Sequence, residues 1–499
     1  MESDGEVMRL TELIEGLPIA SASARRDSFE TQVLGVTHDS RQVSPGDLFV
    51  AWKGERFDGS AFADEARKRG AVAVLSTEPL AGLSEIPTLV AEQPRDLLGA
   101  LAARVYDHPD RCLRLTGVTG TNGKTTVTTL LTAMLEADGR SSARLGTLGY
   151  WLRGRRITSE RTTPEASDLF RFLRGAQEEG ARDVVMEVSS HALAQGRVSA
   201  ARFDVGVFLN LSRDHLDYHD DLAAYFDAKA TLFELLKDGG RAVINIDDEW
   251  GRRLLERAPG ALTFGESADV RYELCRVGPA GISGRIATPR FETTFDTALL
   301  GSYNAENVLA AVAAAEALAV SESAIRTALS GQAAVEGRMD AVEAGQPFPV
   351  LIDYAHTPAA LRAALEAMRT VGDGQVVVVF GCGGGRDRGK RELMGRAVAE
   401  LADYAILTSD NPRDEDPTSI LAAVEVGLKS VAGFPYEVIE DRRAAIRRAI
   451  EHASEEWSVL IAGKGHEKHQ IIGTKRLPFV DREEAVAAIE ERFGQASSQ

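Results

Sequence analysis

A glycine-rich loop at residues 117–126 has the composition of a polyphosphate-binding segment. The loop, GVTGTNGKTT, follows an apolar run and precedes an amphipathic one. Its backbone N–H groups and the helix N-terminus behind them can hold phosphate oxygens, while Lys124 can reach the outer phosphates and Thr125 can ligate magnesium. The strict Walker pattern is not met, because Val118 stands where its first glycine belongs. The loop therefore predicts a nucleoside triphosphate site of a shortened form.

The segments around this loop predict a parallel α/β sheet. Apolar residues at positions 127, 130, 131, 134 and 135 form a helical stripe that Gly139 can end. Short apolar runs alternate with such helical patterns along the chain, which is typical of a parallel sheet. Ligands bind beyond the carboxyl ends of the strands in open sheets of this kind. The polar clusters that follow the runs are therefore the candidate functional sites.

Length and turn signals predict three α/β domains. A chain of 499 residues is too long for a single core. The pair His108-Pro109 suggests a first boundary, and the alternating pattern restarts after residue 335. We expect domains at residues 1–112, 113–335 and 336–499, the second of which contains the phosphate loop.

Composition limits the partners of the chain. The net charge of −18 argues against nucleic acid and against acidic membranes, which attract positively charged surfaces. Three widely spaced cysteines suit the reduced thiols of a cytoplasm better than disulfides. The acidic start is unlike a signal peptide, and no run approaches the ~20 apolar residues of a transmembrane helix. We expect a cytoplasmic monomer that binds small molecules and has no membrane span.

Three polar features in the central part could serve a metal ion or a phosphate. Glu187 ends an apolar run, where a buried carboxylate needs a partner or a metal. The segment NLSRDHLDYH at 210–219 is either a site or a capped, solvated turn. Lys229 lies in an amphipathic helical pattern, whose spacing alone favours a surface lysine near Asp227. If a magnesium site does include Lys229, carbon dioxide would convert its ammonium into an anionic carbamate with two oxygen ligands.

Two clusters in the C-terminal part could bind an anion or an amino acid. The segment GCGGGRDRGK at 381–390 is no dinucleotide fingerprint, since Arg386 occupies the place of the last glycine. Its cations suit a phosphate or a carboxylate, and a flexible surface loop fits the pattern as well. In the segment DNPR at 410–413, Arg413 could hold the carboxylate of an amino acid while Asp410 and Asn411 hold its ammonium group.

Together these stretches resemble the Mur ligase family, ATP-dependent amide-forming enzymes of peptidoglycan synthesis. The shortened phosphate loop of that family has the form TGTNGKTT, found here at 119–126. The resemblance covers nearly the whole chain, and its other motifs are DSR at 39–41, RTTP at 161–164, EVSSHAL at 187–193, NLSRDHLDYH at 210–219, AKATLF around Lys229, YNAEN at 303–307, GRM at 337–339 and DYAHTP at 353–358. DNPR is typical of the members that add meso-2,6-diaminopimelate, and the members that add lysine lack it.

The resemblance implies a fold and a reaction. The fold would be three α/β domains, with a central P-loop parallel-sheet ATPase domain between an N-terminal UDP-binding domain and a C-terminal Rossmann-like domain. ATP would phosphorylate the D-glutamate side-chain carboxylate of UDP-MurNAc-L-Ala-D-Glu to an acyl phosphate, which the amine of meso-diaminopimelate would attack. Catalysis would come from positioning and from neutralisation of phosphoryl charge.

The resemblance also implies the residues of the site. The catalytic residues would be Lys124, His215 and Lys229. Thr125 and Glu187 would hold one magnesium ion, and His215 with carbamylated Lys229 would hold a second. The ATP contacts would be Gly120, Thr121, Asn122, Gly123, Lys124, Thr125, Thr126, Asn304, Arg338, Asp353 and His356. The UDP-sugar peptide would contact Ser40, Thr162, Thr163, Ser189, Gln195 and Arg197, with residues 55–57 at the uridine-contacting turn. Diaminopimelate would contact Arg386, Asp410, Asn411, Pro412, Arg413, Gly463 and Glu467.

Three alternatives remain at this point. The same reaction could use L-lysine. A folylpolyglutamate-synthetase-type ligase shares the ATP core but normally begins close to its phosphate loop, whereas more than a hundred residues precede the loop here. A catalytically dead nucleotide-binding protein would keep the loop and lose the metal ligands, but Glu187, His215 and Lys229 are all present.

Overall fold

The protein forms two compact α/β units. The first comprises Met1–Gly117, Arg140–Gly206 and Thr231–Gly240, and the second comprises Val118–Gly139, Val207–Ala230 and Arg241–Gln499. This division is coarser than the three predicted domains, whose boundaries stay a prediction. The computed structural model describes residues 8–23 (backbone alone at 21–23), 30–54, 57–83, 85–159, 161–331, 334–372 and 374–494.

The N-terminal segment contains a five-stranded, mostly parallel sheet. Its elements are β1 (Met8–Arg9), α1 (Leu10–Ile14), β2 (Ala20–Ser23), β3 (Gln32–Val33), β4 (Gly35–Thr37), β5 (Asp47–Val50), α2 (Ala63–Lys68), β6 (Ala73–Ser76), β7 (Thr88–Val90), α3 (Pro94–Val105) and α4 (Pro109–Cys112). The strand order is β2-β7-β6-β5-β4, in which only β2 is antiparallel to its neighbour. Leu48 and Leu75 of the sheet share a buried core with Leu98 and Leu101 of α3.

The central segment contains an eight-stranded sheet and a small antiparallel one. Its elements are β8 (Arg114–Thr119), α5 (Lys124–Ala137), β9 (Ser142–Gly146), β10 (Gly149–Leu152), β11 (Arg155–Ile157), α6 (Ala166–Glu178), β12 (Asp183–Glu187), α7 (Ser190–Ala194), β13 (Phe203–Phe208), α8 (Leu222–Glu234), β14 (Leu236–Asn245), α9 (Glu249–Leu254), β15 (Leu262–Phe264), β16 (Arg271–Gly278), β17 (Gly281–Ala287), β18 (Glu292–Thr297), α10 (Ser302–Ala317) and α11 (Glu322–Gly331). The strand orders are β11-β10-β9-β12-β8-β13-β14-β15 and β16-β17-β18. The apolar run before the phosphate loop is thus confirmed as strand β8, and the run that Glu187 ends is confirmed as β12.

Helix α5 shows why the residues after the loop form a helix. It begins at Lys124, and the N-cap residue Gly123 has a φ of 90°, in the left-handed region that favours glycine. All five residues of the predicted stripe are buried, so tertiary packing stabilises this helix. It ends at Ala137, and Gly139 follows with a φ of 75°, as the pattern predicts.

The C-terminal segment is a six-stranded sheet with helices on both faces. Its elements are β19 (Asp340–Ala341), β20 (Val350–Asp353), α12 (Pro358–Val371), β21 (Gln375–Phe380), α13 (Lys390–Leu401), β22 (Tyr404–Leu407), α14 (Pro417–Leu428), β23 (Tyr436–Val438), α15 (Arg442–His452), β24 (Trp457–Ala462), β25 (His469–Ile472), β26 (Lys475–Pro478) and α16 (Asp481–Phe493). The strand order is β19-β20-β24-β21-β22-β23, parallel except for β19, and β25 pairs with β26 as a hairpin.

Strand β21 explains the double layer of helices. Its sequence QVVVVF is apolar at consecutive positions, as expected of a strand that is buried on both faces. Val376 and Val378 pack in the core that contains α12, α13 and α14, whereas Val377 and Val379 pack in the core that contains α15 and α16. The predicted α/β class with parallel sheets is therefore confirmed.

No helix within the described residues is long and apolar enough to cross a membrane. All three cysteines are free thiols.

Candidate active site

The phosphate loop between β8 and α5 is held by the segment that follows β13. The Thr121 N–H donates to the Asn210 carbonyl oxygen at 3.0 Å, and the Asn122 N–H donates to the Asn210 side-chain oxygen at 2.9 Å. A Cβ at Gly123 would come within 2.2 Å of the Asn307 amide oxygen. Lys124 Nζ donates to the carbonyl oxygens of Gly120 and Thr121 at 2.8 and 3.1 Å. Asn210 therefore holds the backbone of the loop in place, and the Lys124 ammonium group lies against that backbone.

Lys229 of α8 is buried against this loop. It is 1% exposed, and its Nζ donates to the Gly120 carbonyl oxygen at 2.9 Å and lies 4.5 Å from the centre of the Tyr225 ring. Burial, followed by the nearby charge of Lys124, lowers the pKa of Lys229 well below its usual range, against the opposing charge of Asp214. The interpretation of Lys229 as a surface lysine was wrong, because α8 packs this face on the loop.

Asp214 joins His215 to the C-terminal segment. Its carboxylate lies 3.4 Å from His215 Nε2, 3.4 Å from Lys390 Nζ and 3.8 Å from His356 Nε2. Burial opposes its ionisation, but the charges of His215, Lys390 and His356 outweigh burial and lower the pKa of Asp214. The sequence motifs contain Asp214 and Lys390 but gave no reason to pair them, since 176 residues separate them.

His215 and Lys229, which the resemblance names as ligands of a second magnesium ion, share a neighbour in the structure. Both lie against the Tyr225 ring, with the His215 ring centre 6.0 Å from that of Tyr225. In the part of the chain that the structure describes, no three His, Cys, Asp or Glu side chains are grouped to hold a metal by themselves. An anionic oxygen donor at Lys229 would supply the ligand that a hard cation prefers.

The predicted ATP contacts from the later segments approach the phosphate loop through Arg338. Its Nη2 donates to the Thr125 hydroxyl at 3.3 Å, and its guanidinium lies 4.6 Å from the centre of the Tyr354 ring. Asp353 is buried at the end of β20 and accepts hydrogen bonds from the Met339 and Ala355 N–H groups, both at 2.8 Å. Burial raises the pKa of Asp353. Asp353 thus holds the backbone beside Arg338 in place.

Asn304, Thr126 and His356 are also placed by local contacts. Asn304 is 1% exposed and accepts a hydrogen bond at 2.9 Å from the side-chain amide of Asn307. Asn307 is the residue whose amide oxygen packs against Gly123 of the phosphate loop. Thr126 is buried in the first turn of α5. His356 Nδ1 is 2.8 Å from the Tyr354 carbonyl oxygen, and burial, then the charge of Lys390, lowers the pKa of His356.

Thr147 donates the hydrogen bonds that the Glu187 carboxylate accepts in the first unit. Its two carboxylate oxygens accept hydrogen bonds from the Thr147 N–H at 2.8 Å and from the Thr147 hydroxyl at 2.9 Å. The residue is 1% exposed, so these bonds offset the cost of burying its charge. Thr147 hydroxyl is also 3.0 Å from that of Thr162, which links Glu187 to the RTTP segment.

Five of the six residues predicted to contact the UDP-sugar peptide form a network in the same unit. Thr163 hydroxyl donates to the Glu187 carbonyl oxygen at 2.8 Å and accepts from the Ser189 N–H at 3.1 Å. Arg197 donates to the Thr163 carbonyl oxygen at 3.1 Å and to the Gln195 side chain. The structure therefore brings Thr162, Thr163, Ser189, Gln195 and Arg197 together.

Two residues that the motifs missed complete this network. Glu165 is 4% exposed and forms an ion pair with Arg197 at 3.1 Å, and Arg95 donates to Gln195 at 2.8 Å. Arg95 lies in α3, far from the motifs in sequence, and no pattern pointed to it.

A cavity of about 870 Å³ adjoins the DSR and RTTP segments. Asp39 and Arg41 line it from the first segment, and Arg161 and Pro164 line it from the second. Ser40 is the buried first residue of the short 3-10 helix Ser40–Gln42, and Asp39 is the N-cap of that helix. Of the predicted uridine turn, Glu55 and Arg56 lie outside the described residues, and Phe57 is exposed.

The DNPR loop lies between the glycine-rich loop and the β25–β26 hairpin and forms hydrogen bonds with both. The Gly384 N–H donates to the Asn411 carbonyl oxygen at 2.9 Å, and the Arg413 N–H donates to the Ile471 carbonyl oxygen at 3.0 Å. Arg413 Nη1 donates to the Gly384 carbonyl oxygen at 2.7 Å. Burial, followed by the charge of Arg386, lowers the pKa of Arg413. A partly desolvated guanidinium of this kind favours an anionic partner.

The remaining predicted amino-acid contacts surround this loop. Asp410 is buried, and its carboxylate faces Gly463, where a Cβ would lie 2.6 Å from it at a φ of 115°. Asn411 Nδ2 donates to Glu467 at 2.8 Å. Pro412 is buried and Arg386 is exposed. The seven predicted contacts thus come from three loops at the carboxyl ends of parallel strands, where ligands bind in such sheets.

Comparison with known proteins identifies the family of the chain. The Mur ligase middle domain matches residues 118–315, the Mur ligase glutamate ligase domain matches 337–465, and the Mur ligase catalytic domain matches 32–106. The chain is 43% identical to UDP-N-acetylmuramoyl-L-alanyl-D-glutamate–2,6-diaminopimelate ligase of Synechococcus elongatus, over 97% of this chain and 99% of that protein. A solved structure with the same ligase name is 33% identical, has a TM-score of 0.66 and is matched over 97% of this chain and 99% of its own.

A more distant structure shares the fold alone. MurF ligase of Thermotoga maritima in complex with ADP is 19% identical with a TM-score of 0.67, over 92% of this chain and 97% of that chain. The chain therefore belongs to the Mur ligase family, as its motifs predicted.

Proposed function

We propose that this chain is the ATP-dependent ligase that joins meso-2,6-diaminopimelate to the D-glutamate side-chain carboxylate of UDP-MurNAc-L-Ala-D-Glu. The DNPR loop carries the proposal. Arg413 offers a partly desolvated cation, and Asp410 and Glu467 lie close enough to act on its pKa. The distal centre of diaminopimelate has a carboxylate for Arg413 and an ammonium group for an acidic side chain, whereas L-lysine has no carboxylate there.

The reaction proceeds in two bond-forming steps. An oxygen of the D-glutamate side-chain carboxylate attacks the γ-phosphorus of ATP, and the bond to the β-phosphate oxygen breaks to release ADP. The neutral amine of diaminopimelate then adds to the acyl carbon. The resulting tetrahedral intermediate loses phosphate and a proton to give the amide.

The phosphate loop and Arg338 would serve the first of these steps. The loop N–H groups other than those of Thr121 and Asn122, which donate to Asn210, meet the phosphate oxygens together with the N-terminus of α5. Lys124 balances the charge that develops during transfer. Arg338 lies at Thr125 and adds a second cation on the same side. The protein contributes position and charge, and no covalent intermediate on a side chain is required.

Magnesium would supply further charge neutralisation at the transferred phosphate. His215 and carbamylated Lys229 would hold one ion. The buried amine of Lys229 suits carbamylation, because its lowered pKa favours the neutral form that attacks carbon dioxide. In that reaction an N–C bond forms, a C–O double bond opens to a carboxylate and the amine loses one proton to solvent.

A comparison of amino acids tests the proposal. Phosphate release from ATP is measured with UDP-MurNAc-L-Ala-D-Glu and either meso-diaminopimelate, L-lysine or L-ornithine. We expect turnover with meso-diaminopimelate to exceed that with the other two by at least about a hundredfold in kcat/KM, since a missing carboxylate leaves Arg413 unpaired. Equal rates with lysine would overturn the assignment of the amino acid, and no release with any of the three would overturn the ligase function. A cytoplasmic location and a monomeric state remain predictions.

A further inference from the structure

Lys464 is completely buried beside the DNPR loop, and the family motifs assign it no part in the site. It is 0% exposed and follows β24 in the segment GKGHE, between the predicted contacts Gly463 and Glu467. A charged ammonium is costly to bury unless it is paired and hydrogen-bonded. The hydrogen bonds of Lys464 therefore indicate why a charged group is buried at this position.

All three donor positions of the Lys464 ammonium are used. Its Nζ donates to Glu467 Oε2 at 2.7 Å, to the His469 carbonyl oxygen at 2.8 Å and to Asn411 Oδ1 at 3.3 Å. An ammonium group has three hydrogens, so these contacts account for it fully. Lys464 thus ties together residues from the DNPR loop, the GKGHE segment and the first strand of the hairpin.

These contacts fix the direction of the Glu467 carboxylate. Glu467 Oε2 also accepts from Asn411 Nδ2 at 2.8 Å, and Asn411 Oδ1 accepts from the Ile471 N–H at 2.9 Å. The Ile471 N–H can only donate, so it sets the orientation of the Asn411 amide. One oxygen of Glu467 is therefore held by two donors inside the protein, while its side chain stays a quarter exposed.

We propose that Lys464 is a positioning residue that sets the amino-acid selectivity of the site. It turns Oε1 of Glu467 towards the distal ammonium group of the substrate, and it offsets part of the charge of Glu467. With that charge partly offset, a lone ammonium group binds weakly, and tight binding also requires a carboxylate on Arg413. This inference rests on the proposed function, in which Glu467 contacts diaminopimelate.

Lys464→Met and Lys468→Met form the matched test. Methionine keeps the length of the side chain and removes its charge and donors, and Lys468 is an exposed lysine four residues further on. For Lys464→Met we expect the KM for meso-diaminopimelate to rise about 10- to 100-fold, the range for a lost charged hydrogen bond. The KM for ATP and kcat should stay within about threefold, and the preference for diaminopimelate over L-lysine should fall at least about tenfold. Lys468→Met should match the wild type.

A double-mutant cycle separates positioning from general damage. Because Lys464 would act through Glu467, Lys464→Met combined with Glu467→Gln should be no worse than Glu467→Gln alone. Additive losses, an unchanged KM for diaminopimelate, or a fall in kcat without a change in that KM would each overturn the proposal. Lys464→Arg keeps charge and donors and should restore most of the affinity. If neither Lys464→Met nor Lys464→Arg gives folded protein by circular dichroism, Lys464 is a purely structural residue and the proposal fails.

The wild-type protein distinguishes this inference from the proposed function. Diaminopimelate-dependent phosphate release by the wild type, with an unchanged Lys464→Met variant, would refute the role of Lys464 alone. An absence of that release in the wild type would refute the proposed function itself.

Discussion

Replacement of Lys229 by methionine separates the chemistry of this lysine from its packing. Methionine retains an apolar chain of similar length, so the space around the Tyr225 ring stays filled. The variant removes the hydrogen bond to the Gly120 carbonyl oxygen, but Lys124 donates to the same oxygen at 2.8 Å. We therefore expect the free energy of unfolding to change by no more than about 1 kcal/mol, the value of an ordinary hydrogen bond.

Activity should respond far more strongly than stability. Without a carbamate, the predicted magnesium site has no anionic donor at this position. Loss of one preorganised charge-stabilising group in a water-excluded site costs about 3–4 kcal/mol of transition-state stabilisation. We therefore expect kcat to fall by roughly 150- to 900-fold. The matched control is Lys429→Met, which removes an exposed lysine that pairs with Glu425 and should leave kcat unchanged.

Phosphate release and carbamate detection give the readout. Wild-type protein should lose activity in buffer depleted of carbon dioxide and recover it with bicarbonate, and labelled bicarbonate should produce a carbamate carbon signal by NMR that Lys229→Met lacks. Full activity of Lys229→Met would remove the carbamate from the mechanism. Wild-type activity that is independent of carbon dioxide, with no carbamate signal, would do the same.

Three further predictions concern other parts of the site. Arg413→Ala should raise the KM for meso-diaminopimelate by roughly 30-fold or more, because a lost desolvated charge pair costs about 2 kcal/mol, and it should change the KM for ATP little. The control in the same steady-state assay is Arg388→Ala, which changes an arginine whose side chain is 75% exposed. A backbone N–H of the glycine-rich loop, with neighbouring arginines, lowers the pKa of Glu415. The stabilisation by the Glu415 carboxylate is thus complete above the ordinary pKa of about 4.3, and it is lost as the pH falls through the lowered pKa. In urea titrations, Glu415→Gln should therefore lower the free energy of unfolding by about 1 kcal/mol at pH 7 and by much less at pH 3. Gly123→Ala places a Cβ within 2.2 Å of the Asn307 amide oxygen at a left-handed φ and should weaken ATP binding at least about tenfold by calorimetry.

The parts of the fold that were predictable depend on local patterns. The apolar stripe of α5 repeats with the period of a helix, and the run QVVVVF of β21 is apolar at every position that a doubly covered strand must bury. Both segments carry enough information within a few residues to fix their type. The motifs on the loops after the strands could likewise be located, because parallel sheets place ligands there.

The contacts between distant segments were not predictable in the same way. The burial of Lys229 depends on how α8 meets the phosphate loop, which lies 109 residues earlier in the chain. Its helical pattern with Asp227 nearby looks the same in a surface helix. The role proposed for Lys464 was not predictable from local sequence either, because it depends on a hydrogen bond to Asn411, 53 residues earlier in the chain. A lysine between two glycines at a strand end was the only local sign.

The hydrogen bonds of Lys124 bear on which anions the phosphate loop binds. Because its ammonium donates to two carbonyl oxygens of its own loop, an incoming anion competes with contacts the protein already has. A single sulfate or orthophosphate replaces those contacts with few others, whereas a triphosphate adds the loop N–H groups, the start of α5 and Arg338. We therefore expect the phosphate loop to bind a triphosphate more tightly than a single sulfate or orthophosphate ion.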